Sequence, residues 1–138
     1  MRVLHVDDDA DDRAFFQEAV HAIDGRIVFE TASNGAEALK KLTESTELPD
    51  LILLDINMPF IDGRECLEKI RSDKKLRSLP VVICSTSNYY PDIESFHQLE
   101  AGYITKPSDL NVLIQALKSY ILPLQKKSRT SNYQLSNQ

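Results

Sequence analysis

The chain has 138 residues, a formal net charge of -5 and 42% hydrophobic residues, which suits one domain burying roughly two-thirds of its unfolded surface. The acidic balance argues against a nucleic-acid-binding face. The two cysteines, Cys66 and Cys84, have neither metal-ligand spacing nor the density of a secreted disulfide scaffold, and predict buried thiols in a reducing compartment. No stretch reaches the roughly 18 apolar residues of a membrane span, and Met1-Arg2 enters an apolar stretch with no signal-peptide pattern, so the expected location is the cytoplasm.

Val3 to Val6 predicts a short strand, followed by the acidic cluster Asp7-Asp8-Asp9 and Asp11-Asp12. Phe16, Ala19, Val20 and Ile23 then recur at helical spacing, with Asp9 or Asp11 as the cap. Carboxylates stabilise a helix start by about 0.3 to 1 kcal/mol each, which accounts for one or two of the five. Asp7 and Asp8, directly at the strand end, exceed what a cap needs.

Asp24-Gly25 closes this helix, and the β-branched and aromatic alternation of Arg26 to Thr31 predicts a second strand. Asn34 reads as the cap of a second helix, carried by Ala38, Leu39 and Leu42 and running to about Thr43. Leu51 to Leu54 is an uninterrupted aliphatic run, the pattern of a central strand covered on both faces. It stops at Asp55, before a loop marked by Met58-Pro59 and Asp62-Gly63. Arg64 to Ser72 predicts a third helix with Cys66, Leu67 and Ile70 inward.

Val81 to Cys84 is a second buried strand, ending in the hydroxyl cluster Ser85-Thr86-Ser87-Asn88, of which Ser85 stands nearest the strand end. Asp92 to Glu100 predicts a short helix and Gly102 to Thr105 a fifth strand, after which Pro107 holds Lys106 extended. Ser108 or Asp109 caps a last helix whose stripe of Leu110, Leu113, Ile114, Leu117 and Ile121 is expected to stop at Pro123. Residues 124–138 contain no acid and show no period, so a polar, disordered tail is expected after a domain spanning 1–123.

Five strand-helix alternations predict an α/β fold, a parallel sheet with helices on both faces. Its carboxyl edge would then gather Asp7, Asp8, Asp55, Ser85 and Lys106 from four strands. Two carboxylates about 5 Å apart repel by roughly 3 kcal/mol at an effective dielectric near 20, so the cluster calls for a cation. Oxygen-only donors suit Mg²⁺. A carboxylate beside such a metal can serve as a nucleophile toward phosphorus, while the lysine and the hydroxyl offset charge on the transferring group. The histidines His5, His21 and His97 have no partner at ligand spacing and are expected to be structural.

On Val6-Asp7-Asp8, Asp55-Ile56-Asn57-Met58-Pro59 with Asp62-Gly63, the Ser85 strand end, and Tyr103 with Lys106-Pro107, the chain resembles bacterial two-component response-regulator receiver domains of the stand-alone, chemotaxis-regulator-like type. The resemblance covers about Arg2 to Pro123. It implies a flavodoxin-like (βα)5 fold with strand order 2-1-3-4-5, and phosphorylation of Asp55 by a sensor histidine kinase or a histidine phosphotransfer protein. It further implies Mg²⁺ on Asp8, Asp55 and the Asn57 carbonyl, with Asp7 acting through water. Lys106 and the Thr86 backbone would contact the phosphoryl group, Ser85 and Tyr103 would form the switch pair, and the Lys106–Pro107 bond would be cis. Such a module catalyses only its own phosphorylation and dephosphorylation, acts as a monomer or weak homodimer, and signals to a protein target through its fourth helix, fifth strand and last helix.

Two departures stand out: Ser85 where the family more often has Thr, and a Leu99 to Tyr103 segment one residue shorter than the usual Leu-Gly-Ala-x-x-Tyr. Two other classes compete. A phosphohydrolase with an Asp nucleophile would place Asp-x-Asp after the first strand, as Asp7 to Asp9 does, but Ala10-Asp11 breaks that pattern. A phosphorylation-independent interaction module would need none of these side chains.

Overall fold

The computed structural model describes residues 1–58, 61–86 and 90–136; Pro59 of the loop motif and Ser87-Asn88 of the hydroxyl cluster lie outside them. Five strands alternate with five helices: β1 Arg2–Val6, α1 Ala10–Ile23, β2 Val28–Ala32, α2 Gly35–Glu44, β3 Leu51–Asp55, α3 Gly63–Ser72, β4 Val81–Ser85, α4 Tyr90–Gln98, β5 Gly102–Thr105 and α5 Leu110–Ser136. The sheet is wholly parallel in the order β2-β1-β3-β4-β5. The alternation predicts the parallel sheet covered on both faces, and the doubly wound, flavodoxin-like strand order is the one that the resemblance implies.

The unbroken aliphatic runs occupy the sheet centre because both faces there are covered. Along β3, Leu51 and Leu53 enter a core with Phe16, Val20, Leu113, Leu117 and Ile121 from α1 and α5. Ile52 and Leu54 enter the opposite core with Leu42, Leu67, Ile70 and Phe96 from α2, α3 and α4. All four are at most 1% exposed, each contributing about 2 kcal/mol by transfer from water. Cys66 and Cys84 are buried and free, and burial pushes the Cys66 thiol up to about 11. They are packing residues.

The helix starts follow the sequence signals. Asp9 accepts from the N–H groups of Asp11 (2.8 Å) and Asp12 (3.3 Å), Asn34 from Glu37, Asp62 from Glu65 and Asp109 from Val112. β2 starts two residues later than predicted, because Asp24 accepts the Arg26 N–H through its side chain and the Ile27 N–H through its carbonyl. That turn consumes both residues.

Two expectations are corrected. α5 continues through Pro123 to Ser136 instead of stopping at the proline. The break that proline imposes is offset by contacts beyond it: Leu124 packs on the α1–α5 core, and Gln125 Nε2 donates to Asp24 Oδ2 at 3.0 Å. The Lys106–Pro107 bond is trans, there being no cis peptide among the described residues; the two isomers differ by only about 0.5 to 1 kcal/mol, so sequence alone leaves the choice open.

Beyond the end of α4 the chain turns through Glu100, with φ 57. Ala101 N–H bonds the Phe96 carbonyl and Glu100 N–H the His97 carbonyl, the Schellman pattern with glutamate where glycine is preferred. Arg71, in the last turn of α3, fastens this corner by donating to the carbonyls of Leu99 (2.8 Å) and Glu100 (3.0 Å), and to those of Arg77 and Leu79 before β4.

Candidate functional site

Strand register sets the site. Val6 lies opposite Leu54, Asp55 opposite Cys84 and Ser85 opposite Thr105. The residues at or just past these ends, Asp7, Asp55, Ser85 and Lys106, therefore share one edge of the sheet. Backbone bonds continue the ladder there: Asp7 N–H to the Ala32 carbonyl at 3.0 Å, and Lys106 N–H to the Ser85 carbonyl at 2.7 Å. On the other side of Asp55, Gly63 N–H bonds the Ile56 carbonyl, and α3 approaches so closely that a Cβ on Gly63 would lie 2.4 Å from the Asp55 carbonyl oxygen.

Asp7, Asp55 and Ser85 are buried, at 0%, 5% and 1% exposure, while Asp8 stands exposed at the rim. One carboxylate oxygen from each of Asp7, Asp8 and Asp55 can be chosen so that all three lie within 4.8 Å of one another. Lys106 Nζ reaches three carboxylates, Asp12 Oδ2 at 2.9 Å, Asp7 Oδ2 at 3.1 Å and Asp55 Oδ1 at 3.2 Å.

The two buried acids respond oppositely. Burial drives the Asp55 carboxyl above its ordinary range, and the Lys106 charge only partly counters it. Burial also pushes Asp7 upward, but the His5 ring 3.6 Å away, the Asp9 N–H at 3.0 Å and Lys106 hold its carboxyl at about 2. For Lys106, burial would lower the pKa, and the Asp12 hydrogen bond with the charges of Asp55 and Asp7 raises it instead. The edge thus holds ionised Asp7 and Lys106 beside a carboxylate destabilised by its own burial.

Asn57 is exposed in the loop after β3, two residues past Asp55. Thr86 is exposed directly after β4. Tyr103 is not in the cluster; it lies half-buried on β5, opposite Ile83, with its ring 6.1 Å from that of Phe96 on α4.

Three neighbours of the site escaped sequence reasoning. Asp12, read as a first-turn helix acid, pairs with Lys106 across 94 residues of chain. Arg13 Nη1 donates to the Asp7 carbonyl at 2.8 Å. His5 is fully buried behind Asp7, stacked on Phe16 with centroids 4.4 Å apart, and neither ring nitrogen has a hydrogen-bond partner.

The carboxyl edge of this parallel α/β sheet thus gathers three acids around one lysine. Residues 3–118 match the family model for the response regulator receiver domain. The response regulator Rcp1 of Synechocystis is 32% identical over 131 residues, covering 87% of this chain and 88% of its own. The phosphorylated cyanobacterial phytochrome response regulator RcpA is 37% identical with a TM-score of 0.77, covering 86% of this chain and 89% of that one. The Mn²⁺-bound form of Rcp1 is 29% identical with a TM-score of 0.75 and the same coverage. Against two longer curated relatives the chain spans only 29% and 15% of their length.

The chain belongs to the response regulator receiver domain family. It is therefore a receiver domain of two-component signalling, and modules of this family are generally signalling units without catalytic turnover of other substrates.

Proposed function

We propose that Asp55 is the phosphoacceptor of a phosphorelay, receiving the group from the phosphohistidine of a sensor histidine kinase or a histidine phosphotransfer protein. The observation that carries this is the buried Asp55 carboxylate at the end of the central strand, 3.2 Å from Lys106 Nζ and grouped with Asp7 and Asp8. One Asp55 oxygen attacks phosphorus, an O–P bond forms, and the P–N bond to the donor imidazole breaks, leaving the electron pair on nitrogen. The other fate is hydrolysis: water attacks phosphorus, the O–P bond to Asp55 breaks, and inorganic phosphate leaves with the carboxylate restored. Both reactions act on the domain itself.

The donor set fits Mg²⁺. Its oxygens are hard, no softer ligand accompanies them, and the crowded negative charge is only partly met by Lys106. Asp8, Asp55 and the Asn57 carbonyl would hold the ion, with Asp7 acting through water; when bound, it offsets charge on the transferring phosphoryl oxygens. Lys106 and the Ser85 hydroxyl donate to the remaining oxygens, and the Thr86 backbone N–H adds a third donor. RcpA is described as phosphorylated and Rcp1 as Mn²⁺-bound, which supports both halves of this proposal.

Once phosphorylated, Asp55 draws the Ser85 hydroxyl inward, Tyr103 moves into the space released, and the surface of α4, β5 and α5 shifts population between two packings. That surface presents the signal to a protein target. No helix among the described residues is long and apolar enough to cross a membrane.

Incubation with acetyl phosphate and Mg²⁺, followed by intact mass, tests the proposal. One phosphoryl increment that is lost in Asp55→Asn supports it. Steady phosphate release from unrelated monoesters would indicate a hydrolase, and no increment under any donor would indicate an interaction module.

A further inference from the structure

Lys106 makes three ion pairs, and they are not equivalent. Asp7 and Asp55 belong to the carboxylate group whose oxygens lie within 4.8 Å of one another; Asp12 does not. Yet Asp12 makes the shortest pair, 2.9 Å against 3.1 and 3.2 Å. It also comes from a different kind of element, the first turn of α1, where Asp9 already caps the helix by accepting the Asp11 and Asp12 N–H groups. The Asp12 side chain is thus spared from capping and free to reach Lys106.

An ammonium has three N–H donors on a flexible four-carbon stem, with no preferred direction of its own. Lys106 has 12% of its side chain exposed and depends on its partners for its aim. One of those partners, Asp55, turns a carboxylate oxygen into an ester oxygen as it reacts, so its hold on the ammonium changes. Asp12, 37% exposed and outside the carboxylate group, keeps its oxygen throughout.

We propose that Asp12 is the positioning residue for Lys106, anchoring the ammonium from α1 so that one donor stays aimed at Asp55 while the phosphoryl group arrives. The inference rests on Asp55 being the phosphoacceptor. It assigns to α1 a part in the reaction besides presenting the strand-end acids. Asp12 touches neither phosphorus nor the acceptor carboxylate and acts only through Lys106.

The experiment measures the initial rate of phosphoryl uptake from acetyl phosphate by intact mass, in wild type, Asp12→Ala, Asp12→Asn and Asp55→Asn, each also in a Lys106→Met background. The ¹⁵N signal of the Lys106 ammonium is recorded in metal-free protein alongside. Asp12→Ala is expected to slow uptake about five-fold, the scale of a partly exposed ion pair. Asp12→Asn, which keeps an acceptor oxygen, should fall between that variant and wild type. In the Lys106→Met background Asp12→Ala should change nothing further, and the hydrogen-bonded ammonium signal should broaden or vanish in Asp12→Ala alone.

Uptake at or above the wild-type rate in Asp12→Ala would overturn the proposal, showing Asp12 idle or a competitor for the ammonium. So would an unchanged ammonium signal, or an equal further loss in the Lys106→Met background, since a first-turn acid acting only on helix stability produces that pattern. Uptake persisting in Asp55→Asn would instead sink the phosphoacceptor assignment, which keeps the two failures apart.

Discussion

The Tyr120 hydroxyl on α5 brackets the backbone of Tyr103 on β5: it accepts the Tyr103 N–H at 3.1 Å and lies 3.3 Å from the Tyr103 carbonyl, to which it donates. β5 pairs with β4 on one side and forms the sheet edge on the other. A phenol therefore does at this position what a sixth strand would do, satisfying an edge that is otherwise open to pairing. The ring reaches it by passing over Gly102, where a Cβ would lie 2.4 Å from Tyr120 Cε1.

Removing the hydroxyl should loosen that edge without emptying the core. Tyr120→Phe is expected to lower stability by about 1 kcal/mol, less if water replaces the lost partner. Urea unfolding measures the loss, and faster hydrogen exchange at the Tyr103 amide locates it. An unchanged Tyr103 exchange rate would show that the bracket contributes nothing to holding β5.

Glu100 sits in the left-handed region, φ 57, which costs a non-glycine residue about 1 kcal/mol. Glu100→Gly should raise stability by roughly that amount, less the extra chain entropy glycine brings to the unfolded state. The Arg71 contact is to the backbone carbonyl and survives the change. A drop in thermal midpoint would mean that the glutamate side chain contributes more than its backbone strain costs.

Asp55 yields a prediction with a defined pH dependence. Its carboxyl is raised above 3.8 in the folded protein, so the folded state prefers it protonated. The stabilisation this gives is complete below about pH 3.8 and disappears as pH rises through the folded value. At neutral pH without Mg²⁺, the charged carboxylate is a net liability. Asp55→Asn should therefore melt a few degrees higher than wild type at pH 7, with the gap closing toward pH 4. Asp7 behaves in the opposite sense: held at about 2, its contribution is present above pH 3.8 and is lost between 3.8 and 2 in both proteins. A gap that widened on acidification would contradict the burial of Asp55.

Gly63 leaves room for the backbone of Asp55. Gly63→Ala would set a Cβ against the Asp55 carbonyl oxygen and the Ile56 Cα. Because both obstacles are backbone, the loop after β3 must move. A loss of about 1 to 3 kcal/mol in unfolding is expected, together with slower phosphoryl uptake. Wild-type values for both would mean that the helix start simply shifts outward.

Much of this architecture is legible in local pattern. Leu51 to Leu54 and Val81 to Cys84 have the pattern of strands covered on two faces, and the carboxyl-edge residues follow from parallel order. What stayed hidden is carried by long-range partners. The Asp12–Lys106 pair spans 94 residues and the Arg71–Leu99 contact 28, and no periodicity announces either. His5 has no partner at ligand spacing in the sequence, and only the fold shows its buried ring 3.6 Å from the Asp7 carboxylate. Pro123 marks a local break, whereas the Gln125–Asp24 contact that holds the helix beyond it joins residues 101 apart in sequence.

The corner that Arg71 fastens has a consequence for how this surface can diversify. All four of its acceptors are main-chain carbonyls, on Leu99, Glu100, Arg77 and Leu79. The guanidinium thus grips the path of the chain and is indifferent to the side chains along it. Substitutions at outward-facing positions of α4 therefore leave these four bonds in place. The side chain that makes the attachment lies on α3, away from the substituted positions.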